Sequence, residues 1–377
     1  MAAQRLLFLS PLLFVACGTP AASTSTATHN ATAQDVREAP PCPIVGGDSA
    51  NHLIRDGEVH FKNLWRLSDG GENAEAYWNP AGDRLVYQRR GGDIKCDRIF
   101  VTDTMGALQT QISDGRGATT CSYFMPDGKS VVYGSTGAVH ENCPPKPDMS
   151  LGYTWAIYGA YDIYHQDLAS GKTVPLVTGP GYDAEATVSP QGDRIVFTST
   201  RSGDIELWTC DLQGKDLKQV TDTVGYDGGA FFSHSGEWLV FRTTNFDETN
   251  LEEEHANYKR LLKENLIRPH SMEIMVIKPD GSERKQVTDL GKANWAPYFF
   301  PNDERILFCT NHHSEGKTMN FDLFAIDVDG GNLERITYEE SFDSFPMFSP
   351  DGRYLVFSSN RDSSNDGDTN LFIAEWQ

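Results

Sequence analysis

The sequence predicts an all-β fold, a six-bladed β-propeller with four strands per blade and a ring closed by the N-terminal strand. Two six-fold repeats and the offset between them carry this prediction. The first repeat is a tight turn followed by an apolar strand. Its copies are Pro80-Ala81-Gly82 before Leu85-Val86-Tyr87, Pro126-Asp127-Gly128 before Val131-Val132-Tyr133, and Pro190-Gln191-Gly192 before Ile195-Val196-Phe197. His234-Ser235-Gly236, Pro301-Asn302-Asp303 and Pro350-Asp351-Gly352 precede Leu239-Val240-Phe241, Ile306-Leu307-Phe308 and Leu355-Val356-Phe357 in the same way. Proline presets φ and glycine accepts φ > 0 at a hairpin turn, while β-branched and aromatic residues suit the strand that follows.

The second repeat is a short strand ending in a hydroxyl, at Ser68, Ser113, Thr178, Thr221, Thr288 and Thr337, each 12 or 13 residues before the next turn. The first copy precedes the first turn, and no copy follows the last turn. Residues around Val59 to Leu67 therefore supply the outer strand of the last blade, beside Asn370 to Trp376. Radial repetition of four-stranded sheets accounts for both the period and the circular offset, and lets one domain extend well beyond the usual size.

Ahead of the blades, Arg5 precedes an apolar run from Leu6 to Ala16, too short for a bilayer span but suited to a secretory signal over residues 1–17. Its end, Leu13-Phe14-Val15-Ala16-Cys17, resembles a bacterial lipobox, with Phe14 departing from the usual leucine. That resemblance implies lipidation at Cys17; ordinary signal cleavage is the alternative. Residues 18–50 form a tether whose first part is rich in Thr, Ala and Ser and has little apolar bulk to order it. The propeller spans 51–377. Lipid at Cys17 is then the sole membrane attachment expected, and the chain is read as secreted across the inner membrane, periplasmic or anchored to the outer membrane. Secretion permits disulfides among Cys42, Cys96, Cys121 and Cys143, which read as loop residues. Cys210 and Cys309 lie in strand patterns and read as buried thiols.

The turn and strand motifs together, most clearly Ser189-Pro190-Gln191-Gly192 and Ser349-Pro350-Asp351-Gly352, resemble the TolB-type six-bladed propeller with its WD-like repeat. The resemblance covers roughly residues 55 to 377 and implies fold more than activity, because such blades serve peptidase gates, lyases and scaffolds alike. TolB itself carries an N-terminal α/β domain, where this sequence is expected to place only a tether before the blades.

Blades two and four each carry about 20 extra residues between their second and third strands, on the face shared with the links between blades. That face is the expected working one. The first insertion brings Cys143-Pro144-Pro145 and the aromatics Tyr153, Trp155 and Tyr158. The second is expected to hold a helix, capped by Thr249 and Glu252 and lying across the mouth as a partial lid.

Seven residues before each turn stand Asn73, Thr119, Asp183, Asp227, Asn294 and Asp343, one oxygen-bearing side chain per blade. Two residues further on, Glu75 and Glu185 add carboxylates expected to share their direction. Two readings follow. Asp183, Glu185, Asp227 and Asp343 could gather around Ca²⁺ or another divalent cation in the axial channel, or the Asx and Thr side chains could close the inter-blade turns. His140 and His270, with His312 and His313, fall in loops of the same face, without a recognised metal-ligand spacing. The loop Asp362 to Asp368 starts like a calcium loop but has Ile373 where the glutamate belongs, so it reads as a polar turn.

The expected binding face is accordingly Glu75, Asp183, Glu185, Asp227, Asn294, Asp343, His140, Trp155 and His270. With 53 acidic and 32 basic residues the net charge is −21, which repels nucleic acid. No nucleophile elbow, metalloprotease helix or phosphate-binding loop is present. The reading is a monomeric binding or scaffold module for a protein, peptide or glycan at the cell envelope. A metal-dependent lyase or hydrolase with its site in the channel mouth is the alternative.

Overall fold

The computed structural model describes residues 45–147, 150, 152–316, 319–365 and 367–377. Six antiparallel sheets are arranged as propeller blades. In blades one to five the innermost strand comes first in the chain: Glu72–Trp78, Thr119–Phe124, Asp183–Val188, Asp227–Phe232 and Asn294–Phe299. Blade six begins at Asp343–Phe348 and is completed from the N-terminus, where Phe61–Arg66 pairs with Asn370–Trp376. Beyond it lies a fifth, two-residue strand, Asp48–Ser49, paired with Trp65 and Arg66, and Ala50 is buried. The globular part thus begins before the expected boundary at residue 50. Cys17, Cys42 and the rest of the proposed signal and tether up to residue 44 lie outside the described residues.

Both repeats have a mechanical role. The second strands bury consecutive residues completely, as at Leu85-Val86-Tyr87 and Leu355-Val356-Phe357, because each sheet is covered on both faces by its neighbours. Each such side chain contributes about 1.5–3 kcal/mol. In five of the six blades the repeated hydroxyl accepts a backbone N–H from the third strand of its own blade, whereas Thr178 of blade two is exposed. Ser113 Oγ takes Ile99 N–H, Thr221 takes Leu207, Thr288 takes Ile274, Thr337 takes Leu323 and, across the closure, Ser68 takes Leu371. A second link at the closure is ionic. Fully buried Arg361 donates to Asp343 at 2.8 Å and to Glu58 of the N-terminal segment at 3.0 Å.

The insertions meet each other. Trp155–Ala156 from blade two pairs with Leu266–Ile267 from blade four in a small antiparallel sheet. The expected helix spans Leu251–Lys263, with three glutamates in its first turn facing the positive end of the helix dipole. Its capping differs from expectation. Asp247, not Thr249, caps the turn leading into it, accepting from Thr249 N–H, and the helix N-cap Asn250 makes no side-chain cap. The helix is also no lid, because Tyr258 turns to Asp204 and packs on Phe246.

Of the four cysteines read as loop residues, Cys96 and Cys143 form a disulfide that ties the blade-two insertion to blade one. Cys96 and Cys121 lie in strands rather than loops, and Cys121 is a free thiol. Cys210 and Cys309 are buried thiols, as their strand patterns suggested.

Candidate functional site

Each innermost strand is interrupted by a β-bulge two residues after its first oxygen-bearing residue. The bulged residues are Glu75, Cys121, Glu185, Gly229, Ala296 and Phe345, and all six have positive φ, between 48° and 62°. A left-handed residue of this kind re-aims the chain locally. All six line one cavity of about 1260 Å³ at the ring axis. Its rim is formed by the blade-two insertion, including Cys143-Pro144-Pro145 and Trp155, and its wall includes Tyr161, Tyr182, Tyr226 and Trp295.

The cavity is closed at its base by aromatic rings. Tyr77 of blade one touches Phe231 of blade four, on the opposite side of the ring, with centroids 5.3 Å apart. Tyr123 and Tyr298 pack against the same phenylalanine. The expected open axial channel is therefore filled at this level.

Bulging separates two sets of residues that simple strand alternation would have placed on one side. The first residues of the inner strands point between blades. Asp183 pairs with Arg201 at 2.8 Å, Asp227 with Arg284 at 2.8 Å, and Asp343 with Arg361. The Asn294 amide donates to Met272 O, the Asn73 amide to Thr369 O, and the Thr119 hydroxyl to Asp97 O. These side chains close inter-blade turns and neutralise arginines, of which Arg361 is fully buried. The cation set Asp183, Glu185, Asp227 and Asp343 does not converge, since three of its members are paired with three different arginines outside the cavity wall. Among the described residues no three His, Cys, Asp or Glu side chains are grouped as metal ligands would be.

Glu75, Glu185 and Trp155 are the members of the expected binding face that line the cavity, whereas Asp183, Asp227, Asn294, Asp343, His140 and His270 do not. His270 is exposed, and His312 and His313 pack on Phe324.

Glu185 is held by a dense network. Arg242 Nη2 donates to it at 2.5 Å, Tyr226 Oη at 2.6 Å, Thr198 Oγ1 at 2.6 Å and Gly229 N–H at 3.0 Å. Burial works to raise its pKa, but Arg242 and these donors outweigh it and hold the carboxyl below its ordinary value. Arg242 also lies over Trp155 and Tyr226, 5.0 and 5.1 Å from their ring centroids. Glycine is required at 229, because any Cβ there would collide with the Arg242 guanidinium.

Glu75 differs. Burial raises its pKa to about 7, with Glu185 adding repulsion and the Cys121 thiol and Arg242 partly offsetting it. Burial, with Glu75 and Glu185, also pushes the Cys121 thiol well above its ordinary value, so it stays protonated.

Sequence reasoning missed Arg242, Tyr226 and Cys121. Cys121 was detectable, since it stands two residues after Thr119 as Glu75 and Glu185 stand after Asn73 and Asp183. Arg242 directly follows the repeated apolar triplet Leu239-Val240-Phe241, where nothing marks it as axial.

The fold is that of a six-bladed β-propeller, and the chain is similar to TolB-type propellers. No family model matches the chain. It is 27% identical over 188 residues to an uncharacterized protein of Agrobacterium fabrum, matching 44% of this chain and 63% of that one. It is 26% identical over 197 residues to a TolB homolog of Chlorobium chlorochromatii, matching 51% and 35%. The chain thus spans less than two thirds of the length of these curated relatives. Among solved structures it is similar to TolB from Acinetobacter baumannii, with TM-score 0.52 and 18% identity over 81% of this chain and 63% of that one. It is also similar to a gluconolactonase from Xanthomonas campestris, with TM-score 0.55 and 14% identity over 91% and 99%. These structural likenesses establish the fold alone.

Proposed function

We propose that the protein is a binding module that receives a peptide segment, or alternatively a glycan, of the cell envelope in the axial cavity. One observation carries this reading: a cavity of about 1260 Å³, walled by aromatic side chains and bounded at its base by an aromatic layer. Concave, largely apolar sites with a few convergent polar groups are the usual form of ligand pockets. The Cys96–Cys143 disulfide and the Trp155–Ala156 strand hold its rim in place, which lowers the ordering cost of binding. The envelope address rests on the signal-like N-terminus and on lipidation at Cys17, by which the module is tethered as a monomer. The alternative, a metal-dependent lyase or hydrolase with its site in the channel mouth, would need ligands other than Asp183, Asp227 and Asp343, which pair with three separate arginines.

The test is a blocking substitution. Phe345 occupies in blade six the bulge position that Ala296 holds in blade five, so the bulge backbone is compatible with phenylalanine. Ala296→Phe should fill part of the cavity and abolish binding of envelope peptides and oligosaccharides, followed by the emission of Trp155 and Trp295. Binding that survives this change with an unaltered dissociation constant would place the ligand elsewhere.

A further inference from the structure

Among the described residues Glu75 has no ion pair of its own, because the nearby Arg242 is taken up by Glu185. Its bulge position is held elsewhere by glycine or alanine in blades four and five, residues that leave the axis open. At Glu185 the acidic side chain has a structural reason, since it anchors Arg242 and Tyr226. At Glu75 the carboxyl meets the neutral Cys121 thiol instead of an arginine.

The charged and titratable groups facing Glu75 come from four blades: Asp97 of blade one, Cys121 of blade two, Glu185 of blade three and Arg242 of blade four, with the Tyr77 phenol beside it. Arg242 is committed to Glu185 at 2.5 Å. The other described cations lining the cavity are Arg90, Lys95 and Lys146; Arg90 pairs with Glu72 and stands 3.8 Å from Asp97, and the two lysines are exposed to solvent. Asp97 and Glu185 add negative potential to the same space, and the tyrosine faces around it attract cations through their quadrupoles. A buried carboxylate becomes favourable when a partner arrives with the opposite charge.

We propose that Glu75 is the recognition point for an ammonium group on an apolar stem, so that the cavity selects a peptide presenting a lysine side chain. This rests on the reading of the cavity as a peptide-binding site. The ammonium would replace the missing cation beside Glu75, while its methylene stem lies against the surrounding aromatic rings. Because Glu75 holds its proton up to about pH 7 in the free protein, docking of the cation would expel that proton near neutrality.

The probes are three blocked tripeptides, Tyr-Lys-Tyr, Tyr-norleucine-Tyr and Tyr-Glu-Tyr, titrated into the full chain by tryptophan emission and calorimetry. The lysine peptide should bind at least tenfold tighter than the norleucine peptide at pH 8. That preference should shrink at pH 5.5, where Glu75 is protonated, and calorimetry in two buffers at pH 7 should register proton release. Glu75→Gln should remove the preference and the proton release, with its melting temperature confirming the fold. Equal binding of the lysine and norleucine peptides, or a preference that survives in Glu75→Gln, would overturn the ammonium site and leave the cavity reading standing. Failure of all three to bind, or binding that persists in Ala296→Phe, would overturn the cavity reading itself.

Discussion

Glu75 and Glu185 occupy the same bulge position in blades one and three, both with left-handed backbone, yet only Glu185 faces an arginine at 2.5 Å. The difference separates a carboxylate that builds the cavity wall from one that is left available inside it. It also makes the two residues respond oppositely to substitution.

For Glu75 the response is to pH. Its pKa is 4.5 when unfolded and about 7 when folded. Below pH 4.5 it is protonated in both states and has no effect. Between 4.5 and 7 the unfolded chain releases the proton first, so stability falls as pH rises, reaching a constant penalty of up to about 3 kcal/mol above pH 7. Glu75→Gln escapes this penalty and should match the wild type near pH 4 but unfold at higher urea above pH 8. A constant difference across the range would contradict the assignment.

Removing Arg242 should be severe. Arg242→Met leaves Glu185 buried without its cation, a loss of about 3–5 kcal/mol for a broken buried pair. Glu185→Gln combined with Arg242→Met should recover much of it. Strict additivity of the two single changes in urea denaturation would show that the pair is not coupled.

Ring closure depends on the N-terminal segment. Deleting residues 18–44 should leave melting unchanged, whereas deletion through Leu67 removes the Phe61–Arg66 strand and Glu58, exposing a sheet edge and leaving Arg361 with Asp343 alone. Aggregation and a sharply lower melting temperature are expected. Equal melting of the two truncations would refute the closure.

The Cys96–Cys143 bridge closes a loop with a sequence separation of 47, for which the chain-entropy model gives about 4 kcal/mol. Cys143→Ser should lower stability by up to that amount and loosen the rim at Pro144 and Trp155, weakening ligand binding. Unchanged melting under reducing and oxidising conditions would argue against the bridge.

The proposed anchor is tested at Cys17. Cys17→Ser should release the protein into the soluble fraction after detergent-free lysis, and retention of the processed variant in the membrane would rule out lipid attachment there.

The amino-acid sequence by itself determined the number of blades, the strand order, the circular closure and the sites of the two insertions. Each of these is written in local terms, as a turn residue that accepts its φ, an apolar triplet or a hydroxyl at constant spacing, and repetition multiplies the signal. It also marked Glu75, Glu185 and Trp155, which do reach the cavity. Tertiary structure alone decided which carboxyls meet arginines, that aromatic rings fill the axis, and that Cys143 bonds Cys96 while Cys121 remains a thiol. These outcomes join residues from different blades. The bulge in every inner strand turns Glu75 and Glu185 away from Asn73 and Asp183, so the period-of-two rule fails where the six strands crowd together. Distances across the axis are set by the whole ring, and no local pattern records them.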